Sequence, residues 1–288
     1  MHLLLIRHGE SVDNVASLYA GSRDSPLTNH GVLQTKRLGS HLASRLPVLG
    51  PIRDIFASNL QRAHHTAEAI AKALPTRLDN QSGSEPLVEV VCLPELREKD
   101  FGLSEGKKFG TRGQSGDDGS ETRDAMKIRI DRFLDSHLTP LIEENRVTKC
   151  AVVVVAHGII LNVLLKCLMA RYPGPPVSGR SSEYVASWSN TGVLQAKLVV
   201  QENVRCRPGP EADSTSEKNT GSSDLGVSKV SLPRAPPKMS LVVDFVNNVD
   251  HLQGLKKTRG GIGSVGFDAK QRTMDSFFTS SSKKRKLG

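Results

Sequence analysis

The sequence predicts an α/β fold, a three-layer α/β/α domain with a mostly parallel central sheet. Two observations carry that expectation. Short apolar runs bounded by turn residues alternate with longer segments of helical period, the pattern of strands joined by helical crossovers. One of those runs, AVVVVA at 151–156, is apolar at every position, as a strand covered on both faces must be.

The elements follow in order along the chain. HLLLI at 2–6 reads as a buried strand feeding a turn at Gly9, and ASLYAGSRDSPLT at 16–28 is loop material rich in Gly, Ser, Asp and Pro. Thr28 can cap a helix running to about Leu46. DIFAS at 54–58 is a short strand, after which Asn59 opens a helix through Leu74 with Ala63, Ala67, Ile70 and Ala71 on one face. Residues 87–93 read as a strand, 122–142 as a long helix, 151–156 as the fully apolar strand and 159–170 as the helix that follows His157 and Gly158. Strand-like segments are expected at 184–188 and 192–200.

Composition changes after Arg205. Pro, Gly, Ser, Glu and Asp dominate 206–238, which reads as a disordered insert. LVVDF at 241–245 is again strand-like and 249–255 suits a short helix, so one domain is expected over 1–205 with 239–255. The Gly-, Ser- and Lys-rich tail, 256–288, has too few large apolar residues to order itself.

The chain of 288 residues has a formal charge of +9, which suits anionic partners and says nothing about fold. Cys92, Cys150, Cys167 and Cys206 are far apart, with no Cys-x-x-Cys pair, so neither a metal site nor a disulfide framework is indicated and a reducing compartment fits. No apolar run approaches the roughly 18 residues of a membrane span. A soluble intracellular protein with no membrane partner is expected.

Chemistry concentrates at the ends of the predicted strands. His8 and His157 each follow an apolar strand and precede a glycine, and in a parallel sheet such ends share one edge, where ligands bind. Arg7 beside His8 favours a neutral, nucleophilic imidazole. Arg62 lies in the first turn of the helix after DIFAS, where a helix start and a guanidinium fork both favour phosphate. The stretch LPELREKDFG at 93–102 brings carboxylates to another strand end, and Glu98 is the candidate proton donor to a departing oxygen.

These residues fall into ordered motifs: Arg7-His8-Gly9-Glu10-Ser11 with Asn14, the loop from Gly21 to Thr28 followed by Gly31, Ser58-x-Leu60-x-Arg62-Ala63, Leu96-Arg97-Glu98 with Phe101-Gly102, and Ala156-His157-Gly158. Together they resemble the histidine phosphatase (phosphoglycerate mutase-like) superfamily. Within it the chain is similar to the TIGAR-like fructose-2,6-bisphosphatase group, through Asn190-Thr191-Gly192 and the C-terminal segment VDHLQGL at 249–255. The resemblance implies the phosphoglycerate mutase-like fold and a phosphomonoesterase. By position it implies that His8 attacks phosphorus and carries a phosphohistidine. Arg7, Arg62, His157 and Asn14 would hold the equatorial oxygens. Glu98 would protonate the leaving alcohol and then deprotonate the attacking water. Gly21 would let the backbone approach the substrate, and Gly158 would line the substrate site beside His157. No metal or cofactor is implied. The short connection from Lys107 to Ser120 favours hydrolysis over the mutase reaction, while a phosphoprotein substrate stays open.

The tail carries a second signal. Gln271, Met274, Phe277 and Phe278 in QRTMDSFF resemble a PIP box, the peptide that docks on the sliding clamp, proliferating cell nuclear antigen. The basic run at 283–286 reads as a nuclear localisation signal, a clamp-strengthening flank or a solubilising end. Nucleus and cytoplasm are the expected locations, with no sequence-specific nucleic-acid binding. The competing reading is a clamp-binding adaptor with a vestigial site.

Overall fold

In the computed structural model, residues 1–79, 83–86, 88–110, 118–174, 186–201, 238–258 and 261–268 are described. Along the chain the elements are β1 (His2–Arg7), α1 (Val12–Val15), α2 (Asn29–Ser44), α3 (Leu46–Leu49), β2 (Ile52–Ser58), α4 (Gln61–Ala73), the strands β3 (Thr76–Asp79) and β4 (Gly83–Pro86), β5 (Val90–Leu93), α5 (Arg123–Phe133), α6 (Thr139–Glu144), β6 (Ala151–Ala156), α7 (Gly158–Arg171), β7 (Val193–Val200) and β8 (Met239–Asn248).

Six strands form one sheet in the order β5-β2-β6-β1-β7-β8, and β3 pairs with β4 apart from it. The run β5-β2-β6-β1 is parallel, while β7 lies antiparallel to both β1 and β8. The apolar runs of β1 and β6 are explained by two cores. Leu3, Leu5, Val152 and Val154 face Ile130, Phe133, Leu161 and Leu165 of α5 and α7. Leu4, Ile6, Val153 and Val155 face Leu38, Leu42, Ala67 and Ile70 of α2 and α4. Alternate side chains of one strand thus enter opposite layers, so no position can be polar.

Register matters most for function. Arg7 is level with Ala156 across the β1–β6 ladder, and Ser58 with Leu93 across β2–β5. The parallel strands therefore release their chains at one edge, as the sequence requires of His8 and His157.

Several boundaries differ from expectation for identifiable reasons. Asn59 does not open α4; the Gln61 amide donates instead to Asp24 Oδ1 at 2.7 Å, so a loop carboxylate thirty-seven positions away caps the helix. The long helix expected at 122–142 is capped by Thr122, whose side chain accepts from the Ala125 amide, but widens into a π-turn at Leu134–Leu138 before α6. Pro140 has no amide to donate to the carbonyl four residues earlier and its ring crowds it, which the wider turn relieves. Within the expected strand at 184–188, Ala186–Trp188 is not strand; Ala186 is held by the Asn162 side chain, which accepts from its amide at 2.8 Å and donates to its carbonyl at 3.2 Å. The helix expected at 249–255 is only a 3₁₀ turn, Asp250–Leu252.

β7 and β8 are neighbours with Val200 level with Met239, so the segment between them leaves and rejoins one sheet; most of it, and all of 206–237, lies outside the described residues. The beginning of the expected disordered tail is bound to the body. Lys257 pairs with Glu10 at 2.8 and 3.0 Å, Val265 and Ile262 carbonyls accept from Asn29, and the Phe267 amide donates to Leu27. Backbone pairing with a preformed loop supplies what the tail's own side chains cannot. Gln271, Met274, Phe277, Phe278 and the basic run lie outside the described residues.

Candidate active site

His8 and His157 meet at the sheet edge with ring centroids 4.9 Å apart, and both side chains are buried. Their hydrogen bonds assign opposite tautomers. His8 Nδ1 lies 2.7 Å from the Gly9 carbonyl, which can only accept, so Nδ1 carries the hydrogen and Nε2 keeps its lone pair. His157 Nδ1 accepts from Arg62 Nε at 3.2 Å, so its hydrogen sits on Nε2, a buried atom with no partner among the described residues. Burial, then the charges of Arg62 and Arg7, hold the His8 imidazole well below its usual 6.5. Burial, then Arg62, do the same for His157. The site therefore offers one neutral nucleophile beside one neutral donor.

Arg62 is 1% exposed, and its guanidinium is built into the wall. Besides His157 it donates to the carbonyls of Arg23 at 2.7 Å, Ala20 at 2.9 Å and Gly21 at 3.3 Å. One cation thereby fixes a tautomer and shapes the 20–23 loop. Arg7 donates through Nη1 to the Trp188 carbonyl at 2.7 Å, leaving a buried Nε with no partner among the described residues. Those two orphan donors, Arg7 Nε and His157 Nε2, are what a bound oxyanion would satisfy.

Glu98 sits at the N-terminus of α7, immediately after His157. Its carboxylate accepts from the amides of Ile159 at 3.0 Å, Ile160 at 3.1 Å and Lys99 at 2.9 Å. The helix end and the acid are thus one unit, joining the loop after β5 to the histidine after β6.

Asn14 belongs to the site chiefly as scaffold. Its Oδ1 accepts from the Ser11 amide at 3.2 Å and from Asn190 Nδ2 at 3.0 Å, which leaves only its own Nδ2 to meet a ligand. Gly21 is required by packing alone. A Cβ there would lie 1.8 Å from the Lys99 carbonyl, and the Gly21 amide donates to Glu105 at 3.1 Å, so the close approach of two loops demands the glycine. Gly158 has open space where its Cβ would be, with Trp188 no nearer than 4.0 Å, so its place beside His157 needs no glycine on steric grounds.

Three supporting residues have roles that the sequence did not assign, although Asn190 stood in the Asn190-Thr191-Gly192 motif. Thr66 accepts from the Gly9 amide at 3.1 Å and donates to the Arg62 carbonyl at 2.7 Å, linking both motifs; its spacing four residues after Arg62 was the available signal. Asn190 donates to the His8 carbonyl at 3.2 Å. Glu105 collects the amides of Gly21, Ser22 and Phe101, and nothing in its sequence context marks it.

A sequence profile described as the histidine phosphatase superfamily, branch 1, matches residues 3–177, which include His8, Arg62, Glu98 and His157. A probable phosphatase of Schizosaccharomyces pombe is 28% identical over 95% of this chain and 78% of its own length. Fructose-2,6-bisphosphatase TIGAR B of Danio rerio is 34% identical over 50% of this chain and 55% of its own. Among solved structures, a mycobacterial glucosyl-3-phosphoglycerate phosphatase superposes with a TM-score of 0.52 at 22% identity, covering 68% of this chain and 91% of that one.

Proposed function

The chain belongs to the histidine phosphatase superfamily and is a phosphatase, and from that premise we propose that it hydrolyses a small phosphorylated metabolite, of the fructose 2,6-bisphosphate kind, through a phosphohistidine on His8. The observation that supports this reading most directly is the pair of opposite tautomers in adjacent rings, a free lone pair on His8 Nε2 and an unpartnered hydrogen on His157 Nε2.

In the first step Nε2 of His8 bonds to phosphorus while the P–O ester bond breaks, and Glu98 gives the departing alkoxide a proton. Arg7 and His157 meet the equatorial oxygens with their unpartnered N–H groups, and Arg62 holds His157 in the donor tautomer. In the second step water attacks phosphorus, its proton passes to Glu98, and the P–N bond breaks to return neutral His8 and free phosphate. Glu98 begins as an acceptor of three backbone amides, so one of its oxygens must turn from the helix end toward the leaving group.

Phosphate release across fructose 2,6-bisphosphate, glycerate phosphates, nucleotides and a phosphopeptide tests the substrate class, with the sugar bisphosphate expected to give the highest kcat/KM. Phosphoryl transfer between glycerate positions without phosphate release would instead make the protein a mutase.

The tail supplies a second part of the proposal, resting on sequence. Gln271, Met274, Phe277 and Phe278 dock on the sliding clamp, and the adjoining basic run supports residence in the nucleus as well as the cytoplasm. Asp268, the last described residue before this motif, follows Phe267, whose amide donates to the Leu27 carbonyl next to the start of α2. Titration of a 268–288 peptide against purified clamp should show binding that the Phe277→Ala/Phe278→Ala peptide lacks; equal binding by both removes this part.

A further inference from the structure

We propose that Arg129, on α5, is the positioning residue that holds Glu98 at the reaction centre. This rests on the reading of Glu98 as the acid and base of the phosphatase. Arg129 makes no use of its charge on an anion in the site. Its guanidinium instead grips the main chain of the acid's own loop: Nη1 donates to the carbonyls of Glu95 at 2.6 Å and Arg97 at 2.7 Å, and Nη2 to the carbonyl of Glu98 itself at 3.2 Å. The remaining edge is paired with Glu121, Nε to Oε1 at 2.7 Å and Nη2 to Oε2 at 2.8 Å.

Glu121 completes the clamp from the other side. Its amide donates to the Asp100 carbonyl at 2.8 Å, and its carboxylate accepts from the Asp100 amide at 3.3 Å. Glu95 to Asp100 is thus held by one ion pair whose side chains are only 15% and 16% exposed. The anchor for this pair is rigid, because Met126, Ile130 and Phe133 on the same helix are buried in the core against the sheet. Three carbonyls within one turn of loop, those of Glu95, Arg97 and Glu98, need a planar fork with several hydrogens, which a lysine ammonium cannot match in geometry.

A loop needs such a device here. Glu98 must exchange partners during turnover, leaving at least one α7 amide for the leaving group, and a side chain that swings is productive only if its backbone does not. The clamp fixes the Cα while leaving the carboxylate to move. Arg129 also belongs to the electrostatics of the site, as one of the cations that disfavour a charged His157.

The test is the leaving-group dependence of phosphohistidine formation, measured by rapid quench on the full chain with p-nitrophenyl phosphate, phenyl phosphate and an alkyl phosphate. Only poor leaving groups need the acid. Arg129→Met should slow the alkyl phosphate about 100-fold while changing p-nitrophenyl phosphate by about threefold or less. Glu98→Gln should give the same steepened dependence, and the double variant should lose little more than Glu98→Gln alone. Equal slowing of all three substrates by Arg129→Met, or additive losses in the double variant, overturns the proposal. A flat response of Glu98→Gln overturns the acid assignment and this proposal with it, whereas a steep Glu98→Gln beside a flat Arg129→Met overturns only the positioning role. Should Arg129→Met fail to fold, Glu121→Gln, which releases the fork's other edge, is read by the same criteria.

Discussion

Two strand ends in this molecule carry the same signature, an apolar strand, then histidine, then glycine, yet the fold puts them to opposite uses. After β1 the chain turns into a loop, and the Gly9 carbonyl comes back to take the hydrogen of His8 Nδ1. After β6 the chain runs directly into α7; Nδ1 of His157 faces Arg62 and accepts. One histidine is left with a lone pair on Nε2 and the other with a hydrogen there. The difference teaches that an imidazole's chemical role is set by what meets its far nitrogen, which the flanking sequence of either histidine does not reveal.

The glycines separate in the same way. A Cβ on Gly9 would lie 2.8 Å from Thr35 Cγ2 and 2.9 Å from the Gly31 carbonyl, whereas one on Gly158 meets nothing closer than 4.0 Å. Gly9 is where the loop after β1 presses on the start of α2; Gly158 only begins a helix.

The largest effect that would sharpen this contrast is on covalent chemistry. His8→Asn should abolish acid-labile phosphate labelling and lower turnover by at least about 10⁴-fold, while His157→Asn still labels and loses about 10²- to 10³-fold, as for one lost transition-state donor. Comparable labelling in the two variants would break the assignment of roles. Next in size is stability: Gly9→Ala should cost about 1–3 kcal/mol by overpacking, read from denaturant midpoints. Gly158→Ala, with room for its methyl and a helix to join, should be neutral or gain up to about 1 kcal/mol. If both lose equally, the steric distinction is wrong.

The smallest expected effect concerns pH. His8 and His157 are held neutral chiefly by burial, and His251 is pushed down to about 4, again by burial first and then by His41. In the unfolded chain these groups protonate near 6.5, so as pH falls through that value the unfolded state binds protons the native state refuses. Stability should be full above about 6.5 and decline on acidification, with the His251 share lost between about 6.5 and 4. His251 Nε2 donates to Thr191 Oγ1 at 2.9 Å, since that hydroxyl gives its own hydrogen to the Asn190 carbonyl, and His251→Gln should flatten the fall of the thermal midpoint over that window without removing it. An unchanged slope would exclude His251 as a contributor.

Much of the fold was legible from sequence because hydrophobic pattern reports burial directly: AVVVVA could only be a strand covered twice, and Thr28 and Thr122 mark helix starts by a local bond between side chain and amide. Where a distant group intervened, pattern failed. Asp24 caps α4 from across a loop, Asn162 holds Ala186 in place of a strand ladder, and Leu27 and Asn29 bind a tail whose own composition gives it no reason to order. The site divides along the same line, since His8, Arg62, Glu98 and His157 announce themselves by type and position, while Thr66, Glu105 and Arg129 do their work through main-chain groups of other segments.

The sequence by itself determined the layers of the sheet, the ends at which its histidines emerge, and the class of chemistry those residues support, because burial and phosphate affinity are properties of side chains. Only the tertiary structure decided which nitrogen of each histidine carries the hydrogen, why Gly21 must be glycine, and which amides and carbonyls hold Glu98. Apart from the Gly9 carbonyl at His8, those outcomes depend on partners brought from far along the chain, and a partner's distance in space is not written in its distance in sequence.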